Sequence, residues 1–348
     1  MHLRLPVLRP LVALGAVAAL VTAAAPAANA ATARAQVVRV ATSAQLVAAL
    51  AHARPGDVVS LADGTYDTHR GFTASRNGTA REPITLKGSR RAVVTGGGVS
   101  GHYGLWITGD HWRVVGLTVA RADKGIVLDG SVGTVIDSVD VHDVGAEGIH
   151  FRSSSSDGVV RRSTVRRTGR VKAQFGEGVY VGSAHTNWRS KHKGVRFGEH
   201  GGHGPDRSDR VVVERNAFSD TTAEAVDVKE GTTGGVIRAN TFRNTAYAGG
   251  QFADSWVDVK GNGWTVSGNR GTGPATACPT AAPCRDAFQV HSVLPGWGTG
   301  NLFAGNTVQG GVPGYVVAVE PADPALGTVV RCDDTGAAAG TSNLPCVP

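Results

Sequence analysis

The sequence predicts an all-β fold, a single-stranded right-handed parallel β-helix (solenoid) with a capping helix at its N-terminal end. Three observations predict it: two series of short alternating segments, asparagines that close one series at a constant register, and a repeat-like composition. With 48 glycines, 6% aromatic residues and one methionine among 348 residues, the chain is rich in turn formers and poor in the bulky residues of an ordinary globular core.

Each segment of the first series alternates apolar and variable residues with a period of two, as a strand with one buried face does. The segments begin at Gly125, Gly148, Gly178, Ala225, Trp256 and Ala287, at steps of 23, 30, 47, 31 and 31 residues. A second series trails the first, with segments beginning at Val135, Val159, Val211, Gly235, Trp264 and Leu302. Two strand series at a recurring spacing indicate the coils of a solenoid, with insertions absorbing the differences in length.

Four asparagines end the later segments of the second series at one register: Asn216, Asn240, Asn269 and Asn306. Stacked asparagines at a tight turn between strands can satisfy one another's amides along the stack. We therefore interpret them as a structural ladder rather than as functional residues.

The solenoid is predicted to occupy residues 31–325, with covered ends because open ends would expose strand edges and core. Thr42 can cap a helix over about residues 43–53, which Pro55 ends. The longest insertion, residues 184–209, is predicted to project from the solenoid. Residues 326–348 form a C-terminal tail that contains Cys332 and Cys346 and is predicted to cover the far end.

Residues 1–30 are predicted to be a secretory signal peptide, because Arg4 and Arg9 precede a small apolar run and an Ala-x-Ala site ends at Ala30. The run is too short for a membrane span. We expect a secreted, extracellular protein whose four cysteines form disulfides, and pairing Cys278 with Cys284 and Cys332 with Cys346 closes the shortest loops of three possible connectivities. The formal charge is +7, or +5 without the peptide, and favours acidic partners.

Three stretches carry a resemblance to a known family: residues 54–66 (RPGDVVSLADGTY), residues 77–86 (NGTAREPITL) and residues 111–119 (HWRVVGLTV). They resemble the opening coils of right-handed β-helix polysaccharide lyases, most closely the pectate lyases of lyase family 9. Lyase family 6, with chondroitinase B and alginate lyases, is also similar. The resemblance covers roughly residues 40–150 and implies the architecture more firmly than the chemistry.

In family 6 a glutamate that helps to hold calcium precedes, by five residues, a lysine that acts as the base. Glu224 and Lys229 stand at that separation, so the resemblance implies these two roles for them. The second glutamate of the family falls on Thr222, and Lys260 matches the register of the arginine expected one coil later. The clustered aspartates that hold calcium in family 9 have no counterpart in their usual form.

Because side chains alternate across a strand, every second residue of the first series points outward. Stacking in register places Val127, His150, Tyr180, Asp227, Asp258 and Gln289 in one outward column. A second column contains Asp129, Arg152, Gly182, Lys229, Lys260 and His291. Acidic residues that precede the strands add a third column, with Glu147, Glu177, Glu224, Asp254 and Asp286. The coils are about 4.8 Å apart. The three columns predict a polar strip suited to a long chain.

Cleavage of a uronate by β-elimination needs a group that neutralises the carboxylate, a base for the C5 proton and an acid for the leaving oxygen. Carboxylates can hold Ca²⁺ for the first task, and the candidates are Glu177, Glu224, Asp227 and Asp258. Lys229 is the predicted base, because the like charge of Lys260 would lower its pKa.

The remaining outward residues provide candidates for the other tasks. His150, Tyr180, His291 and Lys260 are candidates for further proton transfer or sugar contacts. Substrate binding is assigned to Arg152, His291, Trp188 and Arg189, the last two from the insertion, because long loops on rigid scaffolds commonly carry binding residues. The four histidines of that insertion have no diagnostic metal-binding spacing.

The leading hypothesis is a monomeric lyase that acts on an acidic polysaccharide, with no nucleic-acid or membrane partner. One alternative is a glycoside hydrolase on the same fold, with a carboxyl pair such as Glu224 with Asp227, Asp227 with Asp258, or Glu177 with Glu224. Another is a solenoid that binds carbohydrate without cleaving it. Outward Asp and Lys residues can also be mere cross-strand ion pairs.

Overall fold

The computed structural model describes residues 35–188, 204–248, 254–273 and 285–348. The predicted signal peptide and the predicted Cys278–Cys284 disulfide lie outside the described residues, so both stay predictions.

The described chain forms three parallel sheets. Sheet 1 consists of Val37–Val40, Val58–Leu61, Ile84–Lys87, Trp112–Val115, Val135–Asp137, Val159–Arg161, Val212–Glu214, Val236–Arg238, Thr265–Ser267, Leu302–Ala304 and Val329–Val330. Sheet 2 consists of Gly64–Tyr66, Ala92–Val94, Thr118–Ala122, Asp140–Val144, Thr164–Arg166, Ala217–Thr221, Thr241–Thr245, Arg270–Thr272 and Thr307–Val308. Sheet 3 consists of Phe72–Ala74, Leu105–Ile107, Ile126–Asp129, Ile149–Arg152, Val179–Val181, Val226–Val228, Ser255–Val259, Asp286–His291, Tyr315–Glu320 and Gly340–Ser342.

Each strand pairs with its counterparts in the coils before and after it, which confirms the predicted right-handed parallel β-helix. The first predicted series corresponds to sheet 3 and the second to sheet 1. Sheet 2 was not predicted. Its strands contain or precede residues in the left-handed region, with φ between 51° and 54° at Arg121, Asp143, Arg167, Asp220 and Asn244. Such a residue bends the strand and breaks the period-two pattern that the prediction used.

The core lies inside the three sheets and is built from the alternate residues of each strand. Ile126 and Leu128, for example, are fully buried and pack in it. Toward the C-terminal coils the core becomes aromatic, with Phe242 stacked on Phe218 at 5.6 Å between ring centroids and tilted against Trp256 at 5.7 Å. The stack of repeated positions therefore buries one continuous apolar column.

A helix, Ser43–His52, packs against the first strands and buries Leu46, Ala49 and Leu50. It begins with a capping box, because the Thr42 hydroxyl accepts from the N–H of Gln45 and the Gln45 side chain accepts from the N–H of Thr42. Short 3₁₀ turns are formed by Ala173–Phe175, His185–Asn187 and Pro324–Leu326. Among the described residues, no helix has the length and apolar character needed to cross a membrane.

The predicted asparagine ladder is confirmed at the turn from sheet 1 to sheet 2. The main-chain N–H and the side-chain amide of Asn216 both donate to Oδ1 of Asn240, at 2.9 and 3.1 Å. Asn240 donates in the same way to Asn269, and Asn269 to Asn306. Each amide also donates to a carbonyl of the preceding coil, as Asn240 does to Val213 at 2.9 Å. The ladder therefore satisfies buried polar groups across three coils at once.

An aspartate ends the ladder. Asn306 donates its main-chain N–H and its amide to Oδ1 of Asp334, at 2.7 and 2.8 Å. The last strands extend sheets 1 and 3, so residues 326–348 form a final partial coil, which the Cys332–Cys346 disulfide closes as predicted. The other oxygen of Asp334 is buried without a partner among the described residues.

Replacing Asp334 with asparagine is expected to stabilise the protein above pH 6. Burial raises the pKa of Asp334 from 3.8 to about 6. Its ionised form therefore destabilises the folded state, a cost that is absent below pH 4, grows between pH 4 and 6 and is fully present above pH 6. An amide would remove this cost and could donate where the unpartnered oxygen now lies. The expected gain is about 1 kcal/mol, or a Tm rise of roughly 2 °C.

Thermal unfolding of wild type and Asp334→Asn between pH 4 and 8 measures this difference. The Tm difference should shrink toward zero as the pH falls. The converse variant Asn240→Asp should destabilise, because an oxygen would then face the Val213 carbonyl. A Tm difference that is constant with pH would contradict the account.

Candidate functional site

The predicted outward column of sheet 3 is confirmed by the strand pairing. Val127 pairs with His150, His150 with Tyr180, Tyr180 with Asp227, Asp227 with Asp258, and Asp258 with Gln289. The column is mostly buried, with Asp227 and Asp258 each only 2% exposed. Parallel stacking thus brings chain-distant polar groups into direct contact within a shielded strip.

Two lysines that follow the column strands neutralise its aspartates. Nζ of Lys229 lies 2.5 Å from Oδ2 of Asp227. Nζ of Lys260 lies 3.1 Å from Oδ1 of Asp227 and also bonds Oδ2 of Asp258. Lys260, a predicted candidate for proton transfer or sugar contacts, thus bridges the carboxylates of Asp227 and Asp258 and fixes their positions.

The prediction that Lys260 lowers the pKa of Lys229 is wrong. Burial opposes the charge on Lys229, but the charges of Asp227 and then Glu224, together with the hydrogen bond to Asp227, outweigh burial and raise its pKa. The carboxylates around Lys229 are closer and more numerous than the one like charge that the prediction considered. Lys229 therefore carries a proton in the resting site.

Three of the four predicted metal ligands form one group, which we call the acidic cluster: Glu177, Glu224 and Asp227. One oxygen from each lies within 4.8 Å of the others, and all three residues are buried. Burial raises the pKa of Glu177 to about 8, and the nearby charges of Glu147 and Asp227 add to this. Burial likewise raises the pKa of Glu224, and the charge of Asp227 adds to this. The fourth predicted ligand, Asp258, lies outside this group and bonds Lys260 and His291 instead.

The acidic cluster fits a hard divalent cation. Oε2 of Glu177 and Oε1 of Glu224 are buried, and neither has a hydrogen-bond partner within the described ranges. Carboxylate oxygens of this kind are the ligands that Ca²⁺ takes, and a cation would offset the cost of burying them. The oxygen donors of the acidic cluster are therefore of the kind that the calcium prediction requires.

Tyr180 lies between His150 and Lys229. Its ring meets the His150 ring edge-on, with 4.5 Å between the ring centroids. Nζ of Lys229 lies over the Tyr180 ring, 5.1 Å from its centroid. Burial, followed by the charges of Asp227 and Glu177, raises the pKa of Tyr180 well above 10, so the phenol keeps its proton. Burial lowers the pKa of His150, whose Nε2 lies 3.0 Å from the Gly182 carbonyl. A proton donor and a lysine thus stand side by side.

A cavity of about 360 Å³ opens beside this pair and is lined by His150, Arg152 and Tyr180, among other residues. Arg152 bonds Asp129 through Nε at 2.5 Å and through Nη2 at 2.8 Å. Burial opposes the charge on Arg152, but these bonds and the charge of Asp129 raise its pKa. The structure therefore places Arg152, predicted to bind substrate, at the wall of a cavity but with one edge of its guanidinium already engaged.

The other predicted substrate contacts lie further along the strip. His291 bonds Asp258 through Nδ1 at 2.9 Å, and the charge of Asp258 raises its pKa. The Trp188 indole donates to the Ser183 carbonyl at 2.8 Å and meets Trp297 edge-on at 6.4 Å. Arg189 lies outside the described residues and stays a prediction.

Several residues at the cavity were missed in the sequence: Lys124, Lys172 and Phe175. All three come from the turns and loops that join sheet 2 to sheet 3, where the period-two pattern gives no register. A basic or aromatic residue in a connecting segment carries no signal by itself, because such residues are ordinary on solvated loops.

Comparisons with known proteins agree with this architecture. The family model described as a Pel9A-like, right handed beta helix region matches residues 25–170, and that of a right handed beta helix region matches residues 103–278. A crystal structure of alginate lyase from Paenibacillus sp. str. FPU-7 is similar, with 34% identity and a TM-score of 0.72 over 88% of this chain and 95% of that chain. A crystal structure of pectate lyase Pel9A shares the fold, with 14% identity and a TM-score of 0.52 over 80% and 77%. No curated protein matches the chain.

Proposed function

The chain belongs to the right-handed β-helix polysaccharide lyases, and from this premise we propose that it cleaves a uronic-acid-containing polysaccharide by β-elimination on the outward face of sheet 3. The similar protein at 34% identity is an alginate lyase, which supports alginate as the first polymer to test. The net positive charge of the chain suits such a substrate. The protein acts as a monomer in this proposal.

The observation that carries the proposal is that Tyr180 lines an open cavity and that Nζ of Lys229 lies 5.1 Å from the centroid of its ring. β-Elimination removes the C5 proton and releases the oxygen at C4, so it needs one group to accept a proton and another to donate one. The phenol of Tyr180 retains its proton and can donate it to the leaving oxygen. Lys229 is the proposed base.

Lys229 must first lose a proton, because its neighbours keep it charged at rest. Oδ2 of Asp227 lies 2.5 Å from Nζ and holds the ammonium in an ion pair. Lys260, bound to the other oxygen of Asp227, keeps this carboxylate in place. In this proposal the amine of Lys229 becomes neutral only when its ion pair with Asp227 is broken.

The proposal includes calcium at the acidic cluster, with Glu177, Glu224 and Asp227 as the protein ligands. When bound there, Ca²⁺ would neutralise the substrate carboxylate and so acidify the C5 proton. The support is the pair of buried oxygens without partners among the described residues.

The glycosidase alternative receives less support. A hydrolase places its two carboxyl groups about 5 to 10 Å apart on either side of the scissile bond. One oxygen from each residue of the acidic cluster lies within 4.8 Å of the others, and all three residues are buried, whereas the carboxyl groups of a hydrolase must flank the scissile bond. Asp258, in the candidate pair with Asp227, is engaged by Lys260 and His291.

We also propose that the protein is secreted, on the strength of the apolar leader in residues 1–30 and of the Cys332–Cys346 disulfide. Expression of the full chain in a host with a secretory pathway should release a protein that begins after Ala30 or, at the second Ala-x-Ala site, after Ala35. N-terminal sequencing of the protein from the medium checks this. Recovery of only the uncleaved chain inside the cells would contradict it.

Substitution of the reaction pair should abolish turnover and leave binding largely intact. Lys229→Ala and Tyr180→Phe should each lower kcat by about 10² to 10⁴, the usual worth of a proton-transfer group. The measurement is the ultraviolet absorbance of the unsaturated uronate formed from alginate, pectate, glucuronan and glycosaminoglycans. Arg113→Ala, an exposed change on sheet 1, is the control and should leave the rate unchanged.

Three results would contradict the proposal. New reducing ends without ultraviolet absorbance would indicate hydrolysis. The absence of both ultraviolet absorbance and new reducing ends with every polymer would indicate a solenoid that binds carbohydrate without cleaving it. Full activity of the Lys229→Ala variant would show that Lys229 is not the base.

Calcium should stabilise the wild-type protein and lose this effect when Glu224 is changed to glutamine. A ligand that binds only the folded state raises Tm by mass action. Glu224→Gln removes a ligand and also relieves the repulsion within the acidic cluster, so in chelator its Tm should exceed that of wild type. Thermal unfolding and calorimetric titration with CaCl₂ measure both effects, with exposed Glu82→Gln as control. No binding heat in wild type would remove calcium from the proposal.

A further inference from the structure

Residues 169–176 form a loop, here called the corner loop, that joins sheet 2 to sheet 3 and turns back toward the N-terminal coils. The N–H groups of Val171 and Lys172 donate to the Gly145 carbonyl at 3.0 and 2.8 Å, and that of Arg170 donates to Val144 at 3.0 Å. The loop therefore lies over the preceding coil, where it builds one wall of the cavity beside Tyr180.

Hydrogen bonds and close packing at the two ends of the corner loop hold it in one position. Oγ1 of Thr222 donates to the Ala173 carbonyl at 2.8 Å, and Oγ1 of Thr168 donates to the Gly176 carbonyl at 2.5 Å. A Cβ on Gly169 or on Gly176 would lie 1.7 or 1.8 Å from Oγ1 of Thr222, so both positions require glycine. A loop fixed in this way presents its side chains with little ordering cost on binding.

Two side chains of the corner loop line the cavity, Lys172 and Phe175. Phe175 is 50% exposed, although a large apolar side chain gains by burial. Lys172 is also half-exposed, and its Nζ bonds Oδ1 of Asp123 at 2.9 Å. An aromatic face and an ammonium on a fixed loop are a combination suited to one face and one carboxylate of an acidic sugar.

Two further cations line the same cavity, Lys124 and Arg152. Nζ of Lys124 bonds Glu147 at 2.6 Å, and Arg152 uses Nε and Nη2 on Asp129. An ammonium has three N–H groups and a guanidinium five, so these cations have more donors than their partner carboxylates occupy in the described structure. Among the cavity-lining residues the acid is Glu147, against three cations, and the surplus of donors favours an anionic, hydroxylated ligand.

We propose that the corner loop and Lys124 form a subsite that binds a uronate unit next to the scissile bond, with Lys172 contacting its carboxylate and Phe175 packing on its ring. This rests on the proposed function, because Tyr180 marks where the reacting sugar lies. Lys172 and Phe175 are binding residues here and take no part in the proton transfers assigned to Tyr180 and Lys229.

The test compares Lys172→Gln and Phe175→Ala with wild type and with the control Lys87→Gln, an exposed lysine of sheet 1. With polymer as substrate, each cavity variant should raise KM about tenfold, the worth of one charge-assisted hydrogen bond or aromatic contact, and leave kcat within about twofold. Both side chains are exposed, so folding should be unaffected, and Phe175→Leu tests whether apolar bulk alone suffices.

Binding is measured separately from turnover in the Lys229→Ala background, by calorimetric titration with a saturated alginate hexamer and with the same hexamer after its carboxyl groups are reduced. Lys172→Gln should weaken binding of the acidic hexamer about tenfold and leave binding of the neutral one unchanged. Phe175→Ala should weaken both.

The outcomes separate the two proposals. Product formation with unchanged KM and affinity in both variants would overturn the subsite and leave the lyase proposal standing. Charge-dependent loss of affinity without any unsaturated product would keep the subsite and overturn the β-elimination. An equal loss with the acidic and neutral hexamers in Lys172→Gln would overturn carboxylate recognition.

Discussion

The structure depends on the parallel pairing of each coil with the next in strict register. Because equivalent residues lie about 4.8 Å apart, a charge in one coil acts directly on the same position of its neighbours. A column of like charges on such a surface would be strongly destabilising, so each outward charge needs an opposite one within a coil or two. Asp227, Lys229, Lys260 and Asp258 obey this constraint and alternate in sign along the strip. The outward face of sheet 3 thus carries a balanced network of ion pairs, and its pKa values belong to the network rather than to single residues.

The pair Glu177 and Glu224 departs from this balance. Both carboxyl groups are buried, close together and partly without partners in the described chain. Groups left in such an unfavourable state are typical of sites that bind a cation or transfer protons. Glu177 and Glu224 lie beside Tyr180 and Lys229. The unfavourable burial of carboxyl groups in the strip is therefore found at the position where the chemistry is proposed.

The sequence was sufficient where the repeated residues keep a simple local pattern. The period-two segments identify sheets 1 and 3, and Asn240 and its equivalents identify the turn between sheets 1 and 2. Features without such a pattern were missed. Sheet 2 was missed because left-handed residues such as Asp143 interrupt its alternation. Phe175 was missed because its loop turns back on an earlier coil, which no local pattern encodes. The pKa of Lys229 was predicted in the wrong direction, since it depends on burial and on carboxylates of two coils, Asp227, Glu224 and Asp258, and not on one pairwise effect.

The asparagine ladder also has a direction. Each amide donates its N–H groups to a carbonyl of the coil before it and to an acceptor of the coil after it, as Asn240 does with Val213 and Asn269. No turn is therefore complete until the following coil has folded. During synthesis from the N-terminus, each finished coil leaves an open template for the next, and the order of assembly follows the order of translation. Asp334 ends this growth because a carboxylate accepts the last donors and offers none to a further coil.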